Sequence, residues 1–224
     1  MVSINYMVAV YGGSRRTYKK TPVKLFIEKH IEFLLTKPKF FDGFTFIIND
    51  SGNDKEIISM INDLIGKSEL KGKLIVRDNF NASYGAWQHG IMETYKDYTH
   101  TFLIEDDYLP TNQDFIDFFL RKDIENTRFI ASYLNNSHAS ISNGLLNNKV
   151  VEPTVEKYGN LFNLQTDDKS TTIYLMADQT SFLDFISGEI RDITDEAATI
   201  FNNVGRLIVY TNPNLPIIIK PILE

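Results

Sequence analysis

Apolar positions in the first half of the chain recur in two alternating rhythms. Short runs rich in Val, Ile, Phe and Tyr have the character of strands, and longer stretches return an apolar residue every three or four positions, as amphipathic helices do. The first run covers residues 5–11 (NYMVAVY) and leads into a loop with Gly12, Gly13, Arg15 and Arg16. Thr21 and Pro22 read as an N-cap and a first helical residue. Leu25, Phe26, Ile31, Phe33 and Leu34 supply the helix's apolar face, and Lys37 and Pro38 end it. A second unit has a strand at 44–49 (FTFIIN), a turn at 50–53 and a helix over about 54–65 stopped by Gly66. The third has the strand KLIVR at 73–77, the loop DNFNAS and a helix over about 83–96. A fourth strand, HTFLIE, ends at Glu105, and a further helix is expected near 112–121, after Pro110.

Four strand-then-helix units in succession predict a mainly parallel sheet flanked by helices, because parallel neighbours need crossover connections. In such sheets ligands sit beyond the carboxyl ends of the strands. The loops after Tyr11, Asn49, Arg77 and Glu105 should therefore converge on one crevice. From 134 to 170 the periodicity weakens into Asn- and Ser-rich sequence read as long loops and short strands, of the kind that serve as binding loops or lids. A strand at 172–176, helices at 179–186 and 195–204, and the strands RLIVY and PIIIKPIL follow. With no internal repeat and no linker, a single domain over 1–224 is expected.

A chain of 224 residues, 43% hydrophobic and 23% charged, can bury a substantial core, and this composition excludes collagenous, coiled-coil and wholly disordered architectures. A formal net charge of -6 argues against a nucleic-acid partner. The absence of cysteine excludes disulfides, thiolate metal sites and a cysteine nucleophile, and fits a reducing, cytoplasmic location. The N-terminal apolar run lacks a preceding basic region and reads as a strand, not a signal peptide. No stretch approaches the ~18 to 20 apolar residues that span a bilayer, which leaves a soluble protein or one peripheral to a membrane.

Three segments carry candidate chemistry. In FLIEDDYLP a strand runs straight into Glu105, Asp106 and Asp107. The mutual repulsion of three carboxylates is relieved by a divalent cation such as Mg²⁺ or Mn²⁺, which can in turn hold a diphosphate; a solvated acidic turn is the alternative. In IINDSGND, Asn49 and Asp50 end a strand where an amide or carboxylate can orient a base or ribose; the alternative is turn chemistry with Asp54 as a helix cap. In RDNFNASYGAWQHG, Asn81 and Ser83 precede a helix bearing Gly85 and Gly90, small residues that permit close approach of a ligand or of the sheet, with Trp87 as core. The order GxGxxG of dinucleotide-binding folds is missing. Of the four histidines, His30 and His100 read as structural, while His89 and His138 can face the crevice.

Taken in order, VAVYGG, INDSGND, NFNASYGAWQHGI and FLIEDDYLP resemble the nucleotide-sugar-binding half of GT-A fold glycosyltransferases, most closely the inverting family 2 enzymes. The resemblance covers residues 6–120, with a weaker echo near the C-terminus. It implies a GT-A-like, Rossmann-like domain with a nucleotide-sugar-binding half (1–121) and an acceptor-binding half (122–224). It also implies a metal-dependent glycosyltransferase that uses Mn²⁺ or Mg²⁺ to move a sugar from a nucleotide-diphosphate sugar to a glycan or other hydroxyl acceptor. By that resemblance Tyr11, Asn49, Asp50, Arg77 and Asn81 surround the nucleotide with Glu105 and Asp106, and Asp107 is the most direct metal ligand, with Glu105 beside it. The family's DxD motif appears here either with Glu105 in its first acidic position or as Asp106 and Asp107 alone. In TDEAATIFNNVGRLIVY, Asp195 and Glu196 precede Gly205, which by the resemblance marks Asp195 as general base, with Asp178 its rival; a helix N-terminus capped by Thr194 and faced by the two acids is the alternative. Two other readings share these residues: a sugar nucleotidyltransferase, using GGSRR at 12–16 as a triphosphate loop, and a non-catalytic nucleotide-sugar or carbohydrate-binding module.

Overall fold

A computed structural model describes residues 1–13, 22–36, 38–52, 54–110, 115–120, 127–131, 134–135, 140–141, 143–158, 161 and 206–209. The chain forms two compact units, Met1–Ile116 and Asp117–Glu224. The first alternates β1 (Ile4–Tyr11), α1 (Val23–Leu35), β2 (Gly43–Asp50), α2 (Lys55–Lys67), β3 (Lys71–Asp78), α3 (Ala82–Thr94) and β4 (His100–Glu105). Its strands run parallel in the order β3-β2-β1-β4. The expected mainly parallel, helix-flanked sheet is present.

Every residue of β1 and β2 except the last is buried, as both faces of a parallel sheet are covered. Side-chain alternation assigns the faces. Tyr6 meets His30 and Phe33 of α1, and Phe46 packs edge-on to His30, so this face carries α1. Asn5 reaches Thr94, and Gly90 lies against Met7 and Ile47, so the other face carries α3.

Several boundaries differ from the sequence expectation. Pro22 is itself the extended N-cap of α1, so the helix starts one residue later. Its buried face is Ile27, His30, Phe33 and Leu34, whereas Leu25 is exposed, because the sheet selects one stripe of a helix with more apolar residues than one stripe can hold. Gly66 lies inside α2, on its exposed side, where a missing side chain costs little packing; the chain leaves the helix at Ser68 instead.

In the second unit, α4 (Phe115–Leu120) straddles the boundary and is followed by β5 (Thr127–Ala131), β6 (Leu134–Asn135), β7 (Ser140–Ile141) and β8 (Asn143–Asn147). A 3₁₀ turn, Asn148–Val150, runs into α5 (Val151–Tyr158), and β9 (Arg206–Val209) falls in the RLIVY run. β5 pairs antiparallel with β8 and parallel with β9, and β6 pairs antiparallel with β7. Helix α5 corrects the reading of 134–170 as loops and short strands alone. Its Pro153 sits in the first turn, where a missing N–H removes no helical hydrogen bond. The elements expected at 172–176, 179–186, 195–204 and 216–223 lie outside the described residues.

Gly90 sets how closely α3 approaches the sheet. A Cβ there would stand 2.8 Å from Ile47 Cδ1 and 2.9 Å from Met7 Sδ. Gly90→Val should therefore destabilise the fold by about 1–3 kcal/mol through overpacking, read as a lower urea midpoint. A midpoint at or above that of the wild type would show that α3 can step back freely.

Candidate active site

Parallel register lines the strand ends up at one edge of the first unit's sheet. Tyr11 is level with Asn49, Asn49 with Arg77, Asp50 with Asp78, and Ala9 with Glu105. Tyr11, Asn49 and Arg77 thus form a row about 10 Å across, two strand spacings. Glu105 stands on the opposite neighbour of β1. This is the edge at which α/β sheets take ligands.

Asn49 is 1% exposed and uses both ends of its amide. Its Oδ1 accepts from Arg77 Nη1 at 2.6 Å, and its Nδ2 donates to the Ala82 carbonyl at 2.9 Å. Arg77 Nη1 also donates to the Phe80 carbonyl at 3.0 Å. Burial lowers the Arg77 pKa, with Asp78 opposing, but a guanidinium stays charged. Between them the two side chains hold the DNFNAS loop against β2 and β3. Gly85 belongs to the same clamp, since a Cβ on it would collide with the Phe80 carbonyl. Asn81 and Ala82 have left-handed backbones, with φ 58° and 47°. Asn81 is buried, and its Nδ2 has no hydrogen-bond partner among the described residues.

On the β2 loop, exposed Asp50 accepts from the Gly52 amide at 2.7 Å, with Gly52 at φ 80°, an Asx turn. Asp54 stands at the N-cap of α2 without capping it. Its buried carboxylate turns back instead to accept from the Ser51 amide at 2.7 Å and the Ser51 hydroxyl at 2.9 Å, which corrects the expectation of a cap. Gly12 lies against that carboxylate, where a Cβ would collide with Asp54 Oδ1. The β1 and β2 loops are packed together there.

The three acidic residues after β4 are sorted by burial. Asp106 is 0% exposed, and its Oδ2 accepts from the Tyr11 amide at 2.9 Å. Its own amide donates to the Ala9 carbonyl at 3.1 Å, and its carbonyl receives His30 Nε2 at 2.9 Å. Asp106 is therefore the anchor of the turn, placed inside it. Glu105 and Asp107, two positions apart, are both part-exposed. Glu105 Oε1 accepts from Ser83 Oγ at 2.6 Å, which ties the first turn of α3 to the acidic strand end.

His30 supports this turn from below. A carbonyl can only accept, so the His30 proton is on Nε2, and Nδ1 accepts from the Tyr6 hydroxyl at 2.8 Å. Burial pushes the His30 pKa down to about 4, against the favourable Asp106 carbonyl and Asp107 charge, so the ring is neutral at pH 7. Burial also raises the Tyr6 pKa well above the ordinary phenol value.

The sequence reading expected His30 to be structural but missed its bond to the acidic turn, and missed Ser83 beside Glu105. The signal for His30 was a polar ring within the stripe Ile27, His30, Phe33 and Leu34. His89 is exposed on α3, His100 is buried at the start of β4, and Trp87 is core. Asp178, Asp195 and His138 lie outside the described residues.

Among the described residues no group of three or more His, Asp or Glu side chains is placed to hold a metal ion. With Asp106 turned inward, Glu105 and Asp107 offer two hard carboxylates. Carboxylate oxygens are hard donors of the kind that Mg²⁺ and Mn²⁺ take, with water and phosphate oxygens ordinarily filling the remaining positions.

No protein-family model matches the chain, and no curated protein is significantly similar to it in sequence. Solved structures do match. A 4-diphosphocytidyl-2C-methyl-D-erythritol synthase from Anaerococcus prevotii aligns with a TM-score of 0.51 at 11% identity, covering 96% of this chain and 92% of that one. A mannosyltransferase from Pyrobaculum calidifontis, in complex with GDP-Man and Mn²⁺, aligns with a TM-score of 0.54 at 10% identity, covering 94% of this chain and 55% of that one. The chain thus has a GT-A-like, nucleotidyltransferase-like fold. It spans about half the length of the mannosyltransferase. No helix of the described residues is long and apolar enough to cross a membrane.

The buried histidine makes acid stability testable. Below pH 6.5 the unfolded chain protonates His30 while the folded ring stays neutral to about pH 4, so the unfolded state binds more protons and stability is lost as the pH is lowered across this window. His30 should contribute a loss of about 3 kcal/mol between pH 7 and pH 4. Urea denaturation across that range should show the loss, and His30→Gln should flatten it. An equal slope in the variant would assign the loss to other groups.

Proposed function

We propose that the protein transfers a glycosyl group from a nucleotide-diphosphate sugar to a hydroxyl acceptor, with inversion at the anomeric carbon. The observation that carries this reading is the sorting of the acidic turn. Asp106 is withdrawn as an anchor, and Glu105 and Asp107 remain part-exposed at the strand edge where Tyr11, Asn49 and Arg77 lie level with one another. Tyr11 would lie beside the base. Asp50 would accept a hydrogen bond from base or ribose, and the Asn49–Arg77 pair with Asn81 would hold the loop that closes the nucleotide pocket.

Asp107 with Glu105 would hold Mn²⁺ or Mg²⁺, which when bound neutralises charge developing on the diphosphate. In inversion a carboxylate takes the proton of the acceptor hydroxyl, whose oxygen bonds to the anomeric carbon as the bond to the nucleoside diphosphate breaks. We assign that base to Asp195, with Asp178 as the alternative. The acceptor is a glycan or another hydroxyl compound, and the setting is the cytoplasm, with peripheral membrane association compatible.

A sugar nucleotidyltransferase is the second reading, favoured by the span of the chain over 92% of the Anaerococcus prevotii synthase. Product analysis separates the two. Nucleoside diphosphate released during sugar transfer marks the first, and pyrophosphate released from a nucleoside triphosphate and a sugar-1-phosphate marks the second.

Asp107→Asn should lose most transfer activity, by about 10²-fold or more, with an unchanged circular dichroism spectrum. Full activity of the wild type in excess chelator would remove the metal role. Asp195→Asn should abolish turnover while leaving nucleotide-sugar affinity nearly unchanged, since a base acts on the acceptor and not on donor binding. Normal turnover there with a dead Asp178→Asn would move the base to Asp178, and two active variants would refute inversion by either residue.

A further inference from the structure

The carboxylates that would meet the ligand are not themselves the residues that fix the acidic turn. Two groups on the sheet and helix side are. Tyr6, on β1, is 0% exposed and donates to His30 Nδ1; His30, on α1, is also 0% exposed and donates from Nε2 to the Asp106 carbonyl. From there the Asp106 carboxylate takes the Tyr11 amide. The chain of bonds runs from the core through one imidazole into the turn, and from the turn into the end of β1. We propose that Tyr6 and His30 are positioning residues that hold the Asp106 peptide so that Glu105 and Asp107 are presented to the ligand as a fixed pair.

The chemistry favours a histidine in this place. A neutral imidazole is a rigid ring with a donor on one edge and an acceptor on the other, so it passes direction from one partner to the next. Tyr6 fixes which nitrogen carries the proton, because its hydroxyl occupies Nδ1 and leaves Nε2–H for the carbonyl. Without Tyr6 the ring can move its proton to Nδ1 and cease to donate to Asp106. Outer partners of this kind that orient ligating groups commonly matter to affinity by about 10- to 100-fold. The ligand part of the proposal rests on the nucleotide-sugar reading above; the positioning part does not.

Two measurements on the full chain keep those parts distinguishable. The first needs no ligand. Hydrogen exchange of the Tyr11 amide, which is bonded to Asp106 Oδ2, should accelerate about tenfold more than that of the β2 amide of Ile47 in His30→Leu, the scale of one lost hydrogen bond. It should stay within about threefold of wild type in His30→Gln, because the glutamine amide keeps a donor for the Asp106 carbonyl and an acceptor for Tyr6. Tyr6→Phe, which removes only the hydroxyl, should behave like His30→Leu and shift the His30 ring nitrogens away from the pure Nε2–H pattern in ¹⁵N NMR. Equal acceleration at Tyr11 and Ile47 would overturn the positioning role.

The second measurement titrates UDP, GDP, CDP and ADP in turn, each with Mn²⁺. Affinity for the nucleotide that binds wild type should fall about 10- to 100-fold in His30→Leu and recover in His30→Gln, a rescue that general loss of stability would not produce. Equal affinity in wild type and His30→Leu would overturn the claim that turn position controls binding. If wild type binds none of the four, the glycosyl-transfer reading fails, while the exchange data still decide the positioning role.

Discussion

A carboxylate placed wholly inside a protein must be met by donors, because removing it from water costs several kcal/mol. Asp106 is such a group, and the first unit is arranged around it. Its Oδ2 takes the Tyr11 amide, its own amide reaches the Ala9 carbonyl, and its carbonyl is held by His30. The loops after β1 and β4 are therefore one structure with a shared peptide at its centre. Because the anchor is the middle carboxylate of three, the outer two are left at the edge, two residues apart.

β1 acts as the divider that lets this happen. Its even-numbered Tyr6 faces α1 and its odd-numbered Asn5 and Met7 face α3, so a slip of one residue would exchange the two coverings. Both faces carry polar locks. On the α3 side, Asn5 Nδ2 donates to Thr45 Oγ1 at 3.1 Å and Thr94 Oγ1 at 3.4 Å, and the Thr94 hydroxyl donates back to the Gly90 carbonyl at 2.8 Å. On the α1 side Tyr6 and His30 do the same. Apolar packing alone would tolerate small sliding of helix on sheet, whereas these bonds are satisfied at one register only.

What the sequence reveals follows from which forces are local. The four strands and three helices of the first unit were legible because a period of two and a period near 3.6 are printed in consecutive residues, as in FTFIIN and IISMINDLI. Helix ends were less so. Gly66 reads as a stop in isolation, yet its exposed position lets α2 run on to Lys67. Helix α5 was missed because VEPTVEKY is only eight residues long and holds Pro153, which reads as a breaker until the fold places it in the first turn. The acidic turn was recognisable as chemistry, but Glu105, Asp106 and Asp107 are alike as sequence. Their sorting depends on the pairing of Ala9 with Glu105 and on a histidine from α1, both set by contacts across the sheet. His30 was legible as structural from its place in a helix pattern, while its bond to the turn was not: helical spacing reports a face, and only the fold reports what that face meets.

The DNFNAS loop shows the same dependence in its backbone. A left-handed alanine costs roughly 1–2 kcal/mol, and one directly after a left-handed asparagine would not persist on local preference. It persists here because Asn49 holds the Ala82 carbonyl and Arg77 holds that of Phe80, so β2 and β3 dictate a conformation that the loop itself disfavours. The benefit appears one residue later. Ser83 is delivered, buried, to Glu105 at 2.6 Å, so the first turn of α3 meets β4 across the width of the sheet edge. Strain in this loop is thus balanced by strand-end side chains, and the position of Glu105 is set from the β3 side just as the Asp106 peptide is set from α1.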